Sequence, residues 1–168
     1  MLAYCQEGDY KFGFCYFDFS TLKFYLGSFE DDITLKQFRT LGLQIRPVEV
    51  ITASSSMVKG KPTEAMMILK NSHMPPSFSF ISMNDINSEA KVKAKIAKYF
   101  GIDERKWPES LQGISNKEDD LAFTSLALAF TYLEQMLQAE VTIPVAEYYT
   151  QDEHSAELMK QGSMVIDA

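Results

Sequence analysis

Cysteine is nearly absent from this sequence: its 168 residues include only Cys5 and Cys15. Their spacing fits neither CxxC nor CxxH, and Cys15 stands inside an apolar run. The disulfide-scaffold class therefore drops out, and both are read as small reduced hydrophobes. Histidine is as scarce. His73 and His154 lie far apart in polar contexts without acids or cysteines at metal-ligand spacing, which points to surface histidines. No apolar run approaches the ~20 residues of a membrane span, so no membrane association is expected. The opening "MLAYCQEGDYKFG" lacks the basic and long apolar regions of a secretory leader, and an intracellular location is expected. Positive charge is also short: 16 Lys and Arg face 23 Asp and Glu, a net charge of -7. A domain that grips nucleic acid by itself usually shows a basic face, so autonomous DNA binding is not expected.

Aromatic and apolar residues, by contrast, are plentiful enough for one sizeable core. "FGFCYFDFS", residues 12 to 20, is apolar on both alternating faces, with Phe14 and Tyr16 on one and Cys15, Phe17 and Phe19 on the other. That is the pattern of a central strand covered on both sides. A short turn leads into "FYLGSF", making an antiparallel hairpin. Glu30, Asp31 and Asp32 precede an amphipathic segment through Leu35, Phe38 and Leu41, and are expected to cap that helix. Pro47 opens the β-branched strand "VEVITA". Pro62 and Thr63 begin a short helix through Met66, Met67 and Leu69 that ends by Pro75 and Pro76, and "FSFISM" is the next strand.

Ser88 starts a looser helical pattern that stops at Gly101. Residues 102 to 114 read as an irregular loop anchored by Trp107. Ser115 to Glu118 has the S-x-x-E form of a capping box ahead of the longest helix, Leu121 to Leu137. Beyond Ala139 the chain reads as extended and then polar. A hairpin followed by strands alternating with helices indicates an α/β domain, a mixed sheet flanked by helices.

One carboxylate in an aromatic strand raises a chemical question. Two-metal phosphodiester cleavage needs several carboxylates converging on a pair of cations, and Asp18 would then require partners among Glu30, Asp31, Asp32, Asp85, Asp119 and Asp120. Each of those acids has a ready local role at a helix start, and Asp18 can simply close the Ser20-Thr21 turn. "VEVITASSSMVKGKPTEAMM" imitates a phosphate-binding loop but fails in detail. Ser55 stands where the first glycine belongs, and Pro62 replaces the hydroxyl residue after Lys61. Neither cysteine has a nearby base in sequence. Lys91, Lys95 and Lys98 share one helical face, which reads as solvated. Trp107 reads as a loop anchor and the Met66-Met67 pair as core filler.

The order of segments resembles the connector domain, domain II, of MutS mismatch-repair proteins, closest to the eukaryotic mismatch-recognition subunit, the sixth MutS homologue. The resemblance is carried by the strand ending in Asp18, by Leu26-Gly27-Ser28-Phe29, by the Asp31-Asp32 pair, and by Phe38-Arg39-Thr40-Leu41 before "PVEV". "LALAFTYLEQML" is similar to the family's long closing helix, and "MVIDA" to the first residues of the core that follows it. Departures concentrate at Ser54 to Lys61 and at residues 102 to 114.

The resemblance implies a ribonuclease-H-like α/β fold without nuclease activity. It implies a connector over residues 1–140 and a linker over 141–168 leading into a lever domain. It implies no catalytic, metal or cofactor residue in this chain, with ATP and magnesium bound elsewhere in the full-length protein. The expected partners are the other domains of the same polypeptide, a second MutS homologue and a MutL-type protein, with mismatched DNA reached only through the whole protein. A nuclear location and allosteric coupling to the ATP cycle follow as further expectations. The alternative is a small ribonuclease-H-like metal-dependent nuclease using Asp18.

Overall fold

The structure of the protein is a computed structural model that describes residues 1–53, 57–58, 61–84, 86–115 and 121–150. The chain opens with a strand that the local sequence pattern does not mark. Leu2 and Tyr4 point to one face of β1 (Leu2–Glu7) and Ala3 and Cys5 to the other, and all four are buried. Gly8, at φ 65°, lets the chain turn back after three residues into β2 (Lys11–Asp18). β2 then pairs with β3 (Lys23–Glu30), so the "FGFCYFD" run is the middle of an antiparallel meander and not the first strand. The correction has a plain cause. The buried residues Leu2 to Cys5 are a short apolar run without alternation, which periodicity alone does not assign to a strand.

After helix α1 (Lys36–Ile45), β4 (Glu49–Ala53) adds to the free side of β1 in parallel. A two-stranded ribbon, β5 (Met57–Val58) with β6 (Lys61–Pro62), precedes helix α2 (Glu64–Lys70). Then β7 (Ser77–Ile81) joins β4 in parallel. Helix α3 (Glu89–Phe100) follows, then a 3-10 turn (Glu104–Lys106), α4 (Glu109–Ser115), α5 (Leu121–Gln135) and α6 (Ala139–Thr142). Last comes β8 (Glu147–Thr150), parallel to β3. The sheet runs β7-β4-β1-β2-β3-β8. A three-strand meander extended by parallel strands beyond β1 is the ribonuclease-H-like mixed sheet expected, with helices on both faces.

One expectation of irregular chain gives way to structure, and one of extended chain is met only in part. Residues 102 to 114 contain the 3-10 turn and α4, because Pro108 falls immediately before a helix start, where its missing N–H costs nothing. Residues 139 to 150 form a four-residue helix and an edge strand, elements too short to register as a period. The capping-box residues 116 to 118 lie outside the described residues.

Each face of the sheet has its own core. On one face α1 and α2 bring Leu35, Phe38, Ala65, Met66 and Leu69 onto Leu2, Tyr4, Phe12, Phe14 and Val50. On the other, α5 lies across β1, β2 and β3 and is covered outside by α3 and α4. This is why it is apolar almost all round, with Phe123, Leu126, Leu128, Phe130 and Leu133 all buried. The start of α5 sits so close to β2 that a Cβ on Gly13 would fall 2.1 Å from the carbonyl carbon of Leu121. Trp107 is the expected anchor. It stacks on Phe123 and its indole N–H donates to the Gly101 carbonyl at 2.7 Å.

Candidate functional site

Asp18 ends β2, and the strand register decides what it can do. Leu2 opposes Tyr16, so Asp18 lies past the beginning of β1, at the end of the sheet where β1, β4 and β7 start. Open α/β sheets place their ligand crevice outside the carboxyl ends of the parallel strands, which is the opposite end. The carboxylate is also occupied. Its Oδ1 accepts from the Ser20 backbone N–H at 2.9 Å and from the Ser20 hydroxyl at 2.7 Å, and these bonds hold the carboxyl below the usual range against a small opposing effect of burial. Asp18 is thus the turn anchor that its position before Ser20-Thr21 suggests.

The proposed partner acids are elsewhere. Glu30 is at the far end of β3 from Lys23, the residue opposite Asp18, a run of roughly 23 Å of strand. Asp31 is nearly buried and caps α1 from a distance. Its Oδ1 accepts from Gln37 N–H at 3.1 Å and its Oδ2 from Phe38 N–H at 2.8 Å, so two of the helix's unpaired donors are satisfied. Asp32 accepts from the Thr34 backbone N–H at 2.9 Å and from its hydroxyl, which lowers its pKa. Asp85, Asp119 and Asp120 lie outside the described residues. Among the described residues no three His, Cys, Asp or Glu side chains are placed to hold a metal ion.

The other sequence candidates resolve similarly. Lys61 and Pro62 form a strand of the β5-β6 ribbon, and α2 starts only at Glu64 under a Thr63 cap. Met66 is core, whereas Met67 is exposed. His73 is exposed, and His154 is outside the described residues. Both thiols are free and buried. Burial pushes Cys5 up to about 11 and Cys15 further still, so neither is poised as a nucleophile.

The lysine face is solvated at Lys91 and Lys98, which are exposed, whereas Lys95 is drawn in against α5. Lys95 and Lys98 bond the two carboxylate oxygens of Glu134 on α5, at 2.5 and 2.8 Å, and the Tyr99 hydroxyl donates to the same carboxylate. Burial works against the Glu134 charge, but these donors outweigh it and hold the pKa down at about 2. The cluster fastens α3 to α5. A second tie, two residues earlier on α5, joins that helix to the start of β4: the Tyr132 hydroxyl donates to Glu49, and burial together with that carboxylate raises Tyr132 to about 12.

A groove of about 670 Å³ lies between the C-terminal half of α1, α2 and residues 72–76. Leu43, Val48 and Met74 stand exposed along it, with Leu69 as its buried floor. Gly42 permits this close seating of α1, since a Cβ there would meet Leu69 Cδ2 at 3.2 Å. The sequence singled out Arg39, Pro47, Leu69, His73, Pro75 and Pro76 separately, for other reasons, and not as parts of one groove. Chemically its lining is mostly apolar, with the guanidinium groups of Arg39 and Arg46 and the side chains of Ser72 and His73 as its polar groups.

Comparison with known proteins follows the same line. The family model of MutS domain II matches residues 1–144. The human DNA mismatch repair protein Msh6 is 24% identical over 181 aligned positions covering 94% of this chain, which spans 13% of the length of that curated relative. Among solved structures, the Fowlpox virus resolvase in complex with substrate Holliday junction DNA has a TM-score of 0.49 at 16% identity, covering 81% of this chain and 97% of the resolvase chain. Among the described residues no helix is long and apolar enough to cross a membrane.

Proposed function

The chain belongs to the MutS domain II family, and from that premise we propose that it is the non-catalytic connector of a DNA mismatch-repair MutS homologue. In this reading it joins a mismatch-binding domain to the lever and ATP-binding regions of the same polypeptide, and offers a surface to protein partners. The observation that carries the reading is the family match over residues 1–144. The disposition of the acids supports the non-catalytic half, because Asp18, Asp31 and Asp32 are each committed to a turn or a helix end.

The role is mechanical. A body with a packed core on each face of the sheet, whose α5 is tied to α3 by the Glu134 cluster and to β4 by the Tyr132–Glu49 bond, passes a displacement from one end to the other with little internal yielding. ATP and magnesium would act in another domain of the full-length protein, and mismatched DNA would be met through that protein. A second MutS homologue and a MutL-type protein would be its partners, in the nucleus.

The test is calorimetric titration of the protein with magnesium and with manganese, beside a nuclease assay on branched DNA and RNA-DNA hybrids. Silence in both is expected. Metal binding and cleavage that vanish together in Asp18→Asn would replace the connector with an enzyme.

A further inference from the structure

We propose that the groove between α1, α2 and residues 72–76 docks a partner segment that presents apolar anchors flanked by carboxylates, in the manner of an amphipathic helix. The inference deepens the interaction-surface part of the proposed function and rests on that reading only in taking the occupant to be a protein.

Three observations converge on it. Leu43, Val48 and Met74 are 70%, 83% and 80% exposed around one recess. Apolar side chains gathered in that way leave a water-facing patch that a partner can cover. The charge around the recess is of one sign: Arg39 and Arg46 line it and no Asp or Glu does, in a chain of net charge -7. Arg39 donates its Nε to the Thr34 carbonyl at 2.9 Å, which steadies the guanidinium. Arg46, finally, occupies the residue after α1 in the left-handed conformation, φ 48° and ψ 60°, where glycine fits without strain. Arg46 thus brings its charge to the rim of the apolar recess from a position where glycine would serve the helix end as well.

These features choose the occupant. Two copies meeting groove to groove would bring arginines together and add two acidic chains, so a second copy is disfavoured. Two arginines on an acidic domain are too few to hold a phosphate backbone. A helix with leucines at turn spacing, laid between α1 and α2, buries the three exposed side chains and sets its carboxylates against Arg39 and Arg46.

The experiment uses the whole chain and a fluorescein-labelled peptide of about 16 residues, with leucines at i, i+4 and i+7 and glutamates flanking them, read by fluorescence anisotropy. The control peptide has lysine in place of every glutamate. The acidic peptide should bind and weaken as salt is raised, and the lysine peptide should bind at least about tenfold more weakly. Arg46→Gly is the decisive variant, because it relieves the strained cap while removing the charge. A loss of affinity of about tenfold together with unchanged or higher thermal stability supports the proposal. Equal binding of both peptides, full binding by Arg46→Gly, or no binding up to about 1 mM overturns it. So does reversible dimerisation in sedimentation that Val48→Asp abolishes. None of these results bears on metal binding or cleavage, the readouts on which the connector reading stands or falls.

Discussion

Replacing Gly13 by alanine tests the packing of the larger core with the smallest possible change. Gly13 lies in β2 between Cys5 and Ser28, and its missing side chain is the space that the first turn of α5 occupies. A Cβ there would be 2.1 Å from the Leu121 carbonyl carbon, 2.2 Å from its oxygen and 2.4 Å from its Cβ. The first two are backbone atoms, which no rotamer change can move. Relief requires the start of α5 to lift by more than about 1 Å, drawing Ala122 and Phe123 away from the sheet and loosening the dispersion contacts they make. Overpacking of this kind costs about 1–3 kcal/mol, and displacement of a helix that spans three strands puts Gly13→Ala at or above the top of that range, about 3 kcal/mol.

At an open strand position the same substitution would add up to about 1 kcal/mol of stability by restricting the unfolded chain, so even the sign is informative. Urea unfolding followed by fluorescence of Trp107, the single tryptophan, is well placed to read the change because its ring stacks on Phe123 at the affected end of α5. The melting temperature should fall by about 6–12 °C for a chain of this size. Stability within about 0.5 kcal/mol of the parent would refute the close approach of α5 to β2.

Other outcomes follow from the site geometry. Glu134, at about 2 in the folded protein against an ordinary 4.5, has a depressed pKa. Its contribution is therefore present above about pH 5 and disappears as the pH falls from 4.5 through 2. With one-fifth of the side chain exposed, this amounts to about 1–2 kcal/mol after solvent screening. Urea midpoints at about pH 7 and pH 3 should thus differ more for the parent than for Glu134→Gln, and identical pH responses would count against the cluster. Asp31→Ala removes acceptors from two helix-start N–H groups and should cost about 1–2 kcal/mol, whereas Asp32→Ala, on an exposed turn, should cost less; the reverse order in thermal melts would contradict the cap assignment. Cys5 and Cys15 should resist an aromatic disulfide reagent in the native protein and react fully in denaturant; rapid native labelling would mean that the sheet opens between β1 and α5.

The amino-acid sequence by itself determined where most chain segments are covered. The alternation of Phe14 and Tyr16 against Cys15 and Phe17 specified a strand buried on both faces, and these residues do divide between the two cores. The apolar run of α5, the cap at Ser88, Asp31 before α1 and the Trp107 anchor were legible for the same reason, each being a local pattern of burial or of backbone satisfaction, whereas Glu30 ends β3 and Asp32 holds the Thr34 turn instead of capping α1.

Tertiary structure decided everything that depends on which segments are neighbours. That β1 and not β2 is the strand to which β4 adds, that Asp18 consequently lies at the end of the sheet away from the crevice, and that Glu134 reaches Lys95 and Lys98 across 39 and 36 residues are facts of register and packing. The groove is the clearest case. Leu43, Arg46, Val48 and Met74 carry no joint signal in the sequence, and they form one recess only because α1 and α2 pack side by side on the sheet. Periodicity along a chain records how much of each residue is buried, but it does not record by what. Strand order, helix seating and shared surfaces are set by long-range contacts, and only the folded chain supplies those.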